Sequence, residues 1–217
     1  MNDNSEDAQS TSGFISWHDG KVTAIDRARL LGQEPITLWL TGLSGAGKSS
    51  IAFGLEQRLI EAGHACFVLD GDNIRHGLSA DLDFSHSSRT ENIRRVAEVA
   101  KLFNDAGLIV ISAFISPYYE DRARASEIIG ANRFVEVFVD AHLTVCESRD
   151  PKGLYKKARG KLIADFTGVS APYELPELPD VHLHTDSESV VESVERVLGY
   201  LQSRGSCCTI AKSRMRL

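Results

Sequence analysis

The chain has 217 residues, 42% hydrophobic and 25% charged, an ordinary globular composition at a length that lets one domain bury roughly 70% of its unfolded surface. Its 24 basic and 30 acidic residues leave a formal charge of −6, which excludes a general nucleic-acid or anionic-membrane binder and confines any anion site to a local patch. Cys66, Cys146, Cys207 and Cys208 form neither the CxxC pairs of a zinc site nor a disulfide scaffold, so a reducing, cytoplasmic setting is expected. The first 30 residues lack an apolar core behind a basic start, and no later stretch reaches 18 apolar residues, so neither export nor membrane insertion is expected.

Residues 1–13 are polar and small and read as a loose tail. From there apolar runs alternate with amphipathic ones. Strands are predicted over Ile36–Leu40, Cys66–Leu69, Leu108–Phe114, Phe134–Val139 and Val181–His184. Helices are predicted over Lys48–Ala62, Ser88–Ala106 and Tyr119–Ile129, where apolar residues recur at three and four spacing; Ile93, Val96, Ala97, Ala100 and Phe103 make one such stripe. A further helical pattern runs up to Gly205, and Gly205–Leu217 reads as a second tail. One domain over 14–204 is expected. Strand–helix alternation implies an α/β fold with a five-stranded, mostly parallel sheet, right-handed crossovers and ligands at the carboxyl ends of its strands.

The segment GLSGAGKS, Gly42 to Ser49, follows the first strand and opens the first helix, so it satisfies G-x-x-x-x-G-K-[ST] in the context that motif requires. Its glycines let backbone N–H groups converge on phosphate oxygens beside the positive end of a helix. Gly42, Leu43, Ser44, Gly45, Ala46, Gly47, Lys48, Ser49 and Ser50 are therefore the expected ATP contacts. Lys48 reaches the β and γ phosphates, and the Ser49 hydroxyl is the expected Mg²⁺ ligand. The bland alternative is a glycine-rich turn capping a helix. A GTPase is disfavoured, because NKxD is missing and the DxxG at Asp165–Gly168 lies far from any predicted strand.

After the second strand, LDGDNIRHGL places Asp70, Asp72 and Arg75 at the ligand-bearing edge. If the segment is extended, the two carboxylates share a side, with Asp70 near the metal and Asp72 free to accept a hydroxyl proton. Arg75 offers a fork to an anionic oxygen. The alternative is an Asp-Gly turn leading into a solvated helix.

Taken in order, GLSGAGKSS, DGDNIRHGL, RTENIRR, ISAFISPYYEDR and RDPKGLYKKAR resemble the adenylylsulfate (APS) kinase family, and the likeness spans Ile15 to Leu201. The resemblance implies the three-layer fold of P-loop nucleotide kinases. It also implies transfer of the γ-phosphoryl group of MgATP to the 3′-hydroxyl of APS. By the same resemblance Arg75, Arg89 and Asn92 hold the acceptor's anion and ribose, Phe84 and Phe166 stack on its adenine, and Ile115, Ser116, Lys152 and Leu154 complete its site. Arg149 flanks the ATP adenine. Ser116 matches a proposed phosphoserine intermediate, but a serine capping the turn before Pro117 is the favoured reading, since in-line transfer needs positioning more than a covalent relay. The family's FSxxDR pattern has Ser88 in place of its acid here; Ser88 is expected to cap the following helix, with Glu91 closing a capping box. A homodimer and a functional link to ATP sulfurylase are the partners the resemblance suggests, with no nucleic acid or membrane.

RDPKGLYKKARGK, Arg149 to Lys161, sets six basic residues against one acid and reads as a lid closing over the phosphates, against the alternative of a solvated basic helix. The seven histidines show no HExxH or close metal set; His182 and His184, alternating on the last strand, are assigned to packing and surface. Cys66 and Cys146 are expected to be buried and inert. The competing functions are another P-loop kinase, for a nucleoside monophosphate or sugar acid, a non-catalytic nucleotide-binding module, and a pure interaction protein.

Overall fold

The computed structural model describes Ser16, His18 and residues 20–205. The expected tail over 1–13, and the C-terminal one apart from Gly205, lie outside the described residues, and with them Cys207 and Cys208. The elements are α1 (Ala24–Leu31), β1 (Thr37–Thr41), α2 (Lys48–Glu61), β2 (Cys66–Asp70), α3 (His86–Asp105), β3 (Ile109–Ala113), α4 (Tyr119–Ile129), β4 (Phe134–Asp140), α5 (Leu143–Arg149), α6 (Leu154–Arg159), β5 (Val181–His184) and α7 (Val190–Ser203), with short 3-10 turns at Asn73–His76 and Ala131–Arg133. All five predicted strands form, each within a residue or so of its expected bounds, in the order β2-β3-β1-β4-β5. Every pairing is parallel, so the sheet is wholly rather than mostly parallel.

β1 is central and buried along its whole length, as a strand covered on both faces must be. Its side chains alternate: Leu38 and Leu40 join the cluster built with Ile51, Leu55 and Leu59 of α2 and Val197, Leu198 and Leu201 of α7. Trp39 faces the other way, into the cluster with Val96 and Ala100 of α3 and Ala125 and Ile129 of α4. There its ring lies 6.0 Å from Phe114 and 5.7 Å from Phe134. Burying each large side chain contributes about 1.5–3 kcal/mol, whereas an exposed ion pair such as Arg58–Glu195 contributes about 0–1 kcal/mol. Two apolar layers flanking one sheet therefore carry the fold.

Among the described residues three helices start at a residue whose own side chain caps them. Thr23 and Asp26 form a capping box on α1, and Ser189 and Glu192 form another on α7. At α3 the cap is Ser85, whose hydroxyl accepts from the Ser88 N–H, and the helix begins at His86. Ser88 is thus inside the first turn and not its cap. Glu91 is drawn onto Arg94 and Arg95 instead of back to the helix start.

The turn from β1 into α2 is held against β4 and α5. A Cβ at Gly42 would stand 2.2 Å from the Val139 carbonyl oxygen, and one at Gly45, where φ is +79°, would stand 2.8 Å from that of Cys146. Gly42→Ala should therefore force β1 and β4 apart and cost roughly 3 kcal/mol, read as a lower urea midpoint with an unchanged slope.

Candidate active site

A cavity of about 930 Å³ opens at the carboxyl edge of the sheet, at the upper end of small-molecule pockets. Ser44 to Ser50 line it after β1, Asp70 and Asp72 after β2, and Arg75, Phe84, Arg89, Asn92, Ile115, Ser116 and Phe166 at its far end, together with Arg149, Lys152 and Leu154. The phosphate loop and the acidic turn after β2 thus share a single space. Gly42 and Leu43 do not line it. Their carbonyls instead accept from the Lys48 ammonium at 2.8 and 2.7 Å.

Lys48 is buried, and burial pushes its pKa down to about 8, against the pull of the Cys146 and Asp70 charges. The ammonium is a desolvated cation held by neutral carbonyls, ready to exchange them for anionic oxygens. Next to it, the Ser49 hydroxyl donates to Asp70 Oδ2 at 2.7 Å. A hydroxyl and a buried carboxylate side by side are hard oxygen donors, and they fit Mg²⁺.

The segment between Asp70 and Asp72 is not extended. Asp70 Oδ1 accepts the Asp72 N–H at 3.0 Å, and Asp72 takes a helical conformation leading into the 3-10 turn. The two carboxylates therefore part company: Asp70 turns in to Ser49, while the exposed Asp72 carboxylate pairs with Lys152. The Asp-Gly turn, expected as the bland alternative, is present and is what separates the two acids.

At the far end Arg75 donates to the Leu82 and Asp83 carbonyls, and its guanidinium lies 4.4 Å from the centroid of the exposed Phe84 ring. Arg89 donates to the Phe84 and Asp165 carbonyls and the Thr167 hydroxyl. Burial lowers the pKa of both arginines, and the Arg89 charge lowers that of Arg75 further. Two guanidiniums close enough to repel form a field that a dianion would neutralise. Hydrogen bonds from Ser88 and Ser85 hold the Asp83 carboxyl down to about 2, so a carboxylate stands beside Ser88 in place of the family's acid. Asn92 is buried, and its Oδ1 finds no protein partner. Phe166 is buried too, edge-on to Tyr155 at 5.0 Å. Ser116 is almost fully buried at φ 37°, and its hydroxyl accepts from the Trp39 indole at 3.2 Å.

The basic segment expected to act as a lid is built on α6. Tyr155 is buried and donates to the Ser44 carbonyl at 2.9 Å, and the Asp150 carboxylate receives the Leu154 N–H at 2.7 Å. Arg149 donates to the carbonyls of Gly45 and Thr185. Sequence reasoning missed Thr185, whose hydroxyl sits 2.7 Å from the Ala46 carbonyl oxygen, and also Thr167 and Trp39. Only long-range contacts reveal them. Cys146 is buried as expected, but Cys66 is only half-buried, with its thiol pushed up to about 11 by burial.

The family model for adenylylsulphate kinase matches residues 34–184. The chain belongs to the adenylylsulphate kinase family. Among its relatives, adenylyl-sulfate kinase from Marinobacter nauticus is 56% identical over 88% of this chain and 96% of that protein, and the one from Geotalea daltonii is 51% identical over 88% and 94%. The Mycobacterium tuberculosis APS kinase CysC, solved with AMPPNP and APS, superposes with a TM-score of 0.75 at 47% identity, covering 78% of this chain and 99% of that one. A gluconokinase from Sinorhizobium meliloti, at 17% identity and a TM-score of 0.50, shares the fold alone. The chain is thus a family kinase with the P-loop kinase fold. Among the described residues no helix is long and apolar enough to cross a membrane.

Because the Lys48 pKa is depressed from 10.5 to about 8, the unfolded chain holds a proton that the folded one has lost between those values. Stability should rise with pH across that window, and the rise should shrink in Lys48→Met, measured by urea midpoints from pH 7.5 to 9. ATP binding should take up a proton at pH 8 and above, read by calorimetry in buffers of different ionisation enthalpy.

Proposed function

We propose that this chain transfers the γ-phosphoryl group of MgATP to the 3′-hydroxyl of APS, giving 3′-phosphoadenylylsulfate. The observation that carries this reading is the single cavity lined at one end by the phosphate loop and at the other by the Arg75, Arg89 and Asn92 cluster, with Asp72 between. Backbone N–H groups of Ser44 to Ser50 cradle the ATP phosphates at the start of α2. The Lys48 ammonium leaves the Gly42 and Leu43 carbonyls for the β and γ phosphates. Ser49 and Asp70 would hold Mg²⁺, which when bound supplies positive charge to the phosphate oxygens. Arg149 flanks the ATP adenine at the Thr185 wall.

On the acceptor side, the paired guanidiniums of Arg75 and Arg89 take the phosphosulfate, and the unpartnered Asn92 Oδ1 accepts from a sugar or base donor. Phe84 and Phe166 bracket the acceptor adenine, each stack contributing about 1–3 kcal/mol. Ile115 and Leu154 close the apolar sides. When the acceptor anion draws Lys152 away, Asp72 becomes free to accept the 3′-hydroxyl proton as the oxygen attacks phosphorus in line. Ser116 serves as a structural residue in this reading: its hydroxyl is engaged by Trp39, and its carbonyl accepts from Arg122 at 2.9 Å. The two free thiols among the described residues, Cys66 and Cys146, agree with work in a reducing cytoplasm, and supply of APS by a sulfurylase and pairing of two chains belong to the same proposal.

ADP release should depend on APS and not on AMP, gluconate or the omission of an acceptor; equal rates with AMP would make the chain a nucleoside monophosphate kinase. Asp72→Asn should lower kcat by about 10²–10⁴-fold with ATP affinity nearly unchanged. Arg89→Ala should chiefly raise the KM for APS; an effect confined to the ATP parameters would mean the two ends of the cavity had been exchanged.

A further inference from the structure

Asp140 at the end of β4 and His182 and His184 of β5 do not line the cavity. In the parallel register Phe138 stands beside His182 and Asp140 beside His184. Val137 and Val139 on β4 and Val181 and Leu183 on β5 point into the cluster with α2 and α7, so the period of two sends Asp140 and both histidines to the opposite face. There His182 Nε2 lies 2.9 Å and His184 Nδ1 3.9 Å from the same oxygen, Asp140 Oδ2. The imidazole centroids are 4.1 Å apart, and the three ligand atoms all lie within 4.8 Å of one another. Packing fixes the first ring: His182 stacks on Phe138 at 4.8 Å, and Phe138 stacks on Tyr173. Among the described residues no lysine or arginine forms an ion pair with Asp140.

We propose that Asp140, His182 and His184 bind one divalent transition-metal ion of the Zn²⁺ class. One carboxylate oxygen faced by two imidazole nitrogens, only one of them within hydrogen-bond distance, makes a convergence of three ligand atoms that a single hydrogen bond satisfies poorly. A metal ion takes both nitrogens in their neutral form together with the carboxylate. Two imidazoles and one carboxylate suit Zn²⁺, Co²⁺ or Ni²⁺, while Mg²⁺ keeps to oxygen donors such as Ser49 and Asp70. Three protein ligands leave a fourth position to water. The side chains are 37–50% exposed, which gives an ion a path in. The site is tied to the nucleotide end, because the Asp140 carbonyl accepts the Thr185 N–H at 2.8 Å, and Thr185 is the residue that meets Arg149 and the Ala46 carbonyl.

Co²⁺ is the probe, titrated into the full chain without nucleotide and with excess Mg²⁺, followed by visible absorption. One Co²⁺ per chain should bind and be displaced by Zn²⁺. His184→Ala and Asp140→Asn should each weaken binding by at least the roughly 10–100-fold that loss of outer-shell partners costs at metal sites. His182→Gln, which keeps a side chain over Phe138, gives the same reading should either variant fold poorly. Unchanged Co²⁺ affinity in the folded variants, loss of the signal only in Cys207→Ser/Cys208→Ser, or no binding at millimolar Co²⁺ would each overturn the proposal.

Discussion

The closeness of the β1–α2 turn to the backbone of β4 and α5 governs the rest of the molecule. The Gly42 α-carbon rests against the Val139 carbonyl and that of Gly45 against the Cys146 carbonyl, a fit that no side chain at either position permits. This seating sets Ser44 to Gly47 in the cavity wall and sends Lys48 back onto the carbonyls of its own loop. A buried ammonium with only neutral partners is costly, and its depressed pKa expresses that cost. The binding of phosphates is in this sense relief of a desolvation penalty built into the fold.

The acceptor end follows a different design. Its arginines are oriented by carbonyl groups of turns: Arg75 by Leu82 and Asp83, Arg89 by Phe84 and Asp165. Carbonyls fix direction without cancelling charge, so the guanidiniums keep their full field for a ligand. Asp83, the carboxylate whose charge acts on Arg75, is occupied by serine donors. Replacement of the family's acid by Ser88 therefore leaves Arg89 anchored from the other side, through Thr167 and Asp165.

Legibility in the sequence tracked how local the signal was. The five strands, the phosphate loop and α2, α3 and α4 were each encoded by a contiguous pattern, an apolar run, a glycine spacing or a stripe. α1 was not, because it spans only 8 residues and none of them is buried; α5 and α6 span 7 and 6 residues, too few turns for a period to emerge. The capping error at α3 arose because three serines, Ser85, Ser87 and Ser88, are each possible caps; Asp83 holding Ser85 in place settles the choice. Nothing local joined Arg89 to Thr167, 78 positions away, or Asp140 to His182, 42 positions away. Such pairs exist only once the chain has folded. The division of Asp70 from Asp72 was hidden for the opposite reason, since a two-residue spacing is compatible with both a strand and a turn.

The ion pair between Lys152 and Asp72 is more than half exposed on both sides, and such a pair is worth about 0–1 kcal/mol. A clasp that weak cannot hold the cavity shut against either nucleotide, but it keeps two opposite charges from drifting while they wait. In the proposed reaction an arriving anion would need only to outbid one carboxylate for one ammonium, and in doing so it would uncover the group its own hydroxyl requires. On that proposal the acceptor readies its own reaction partner.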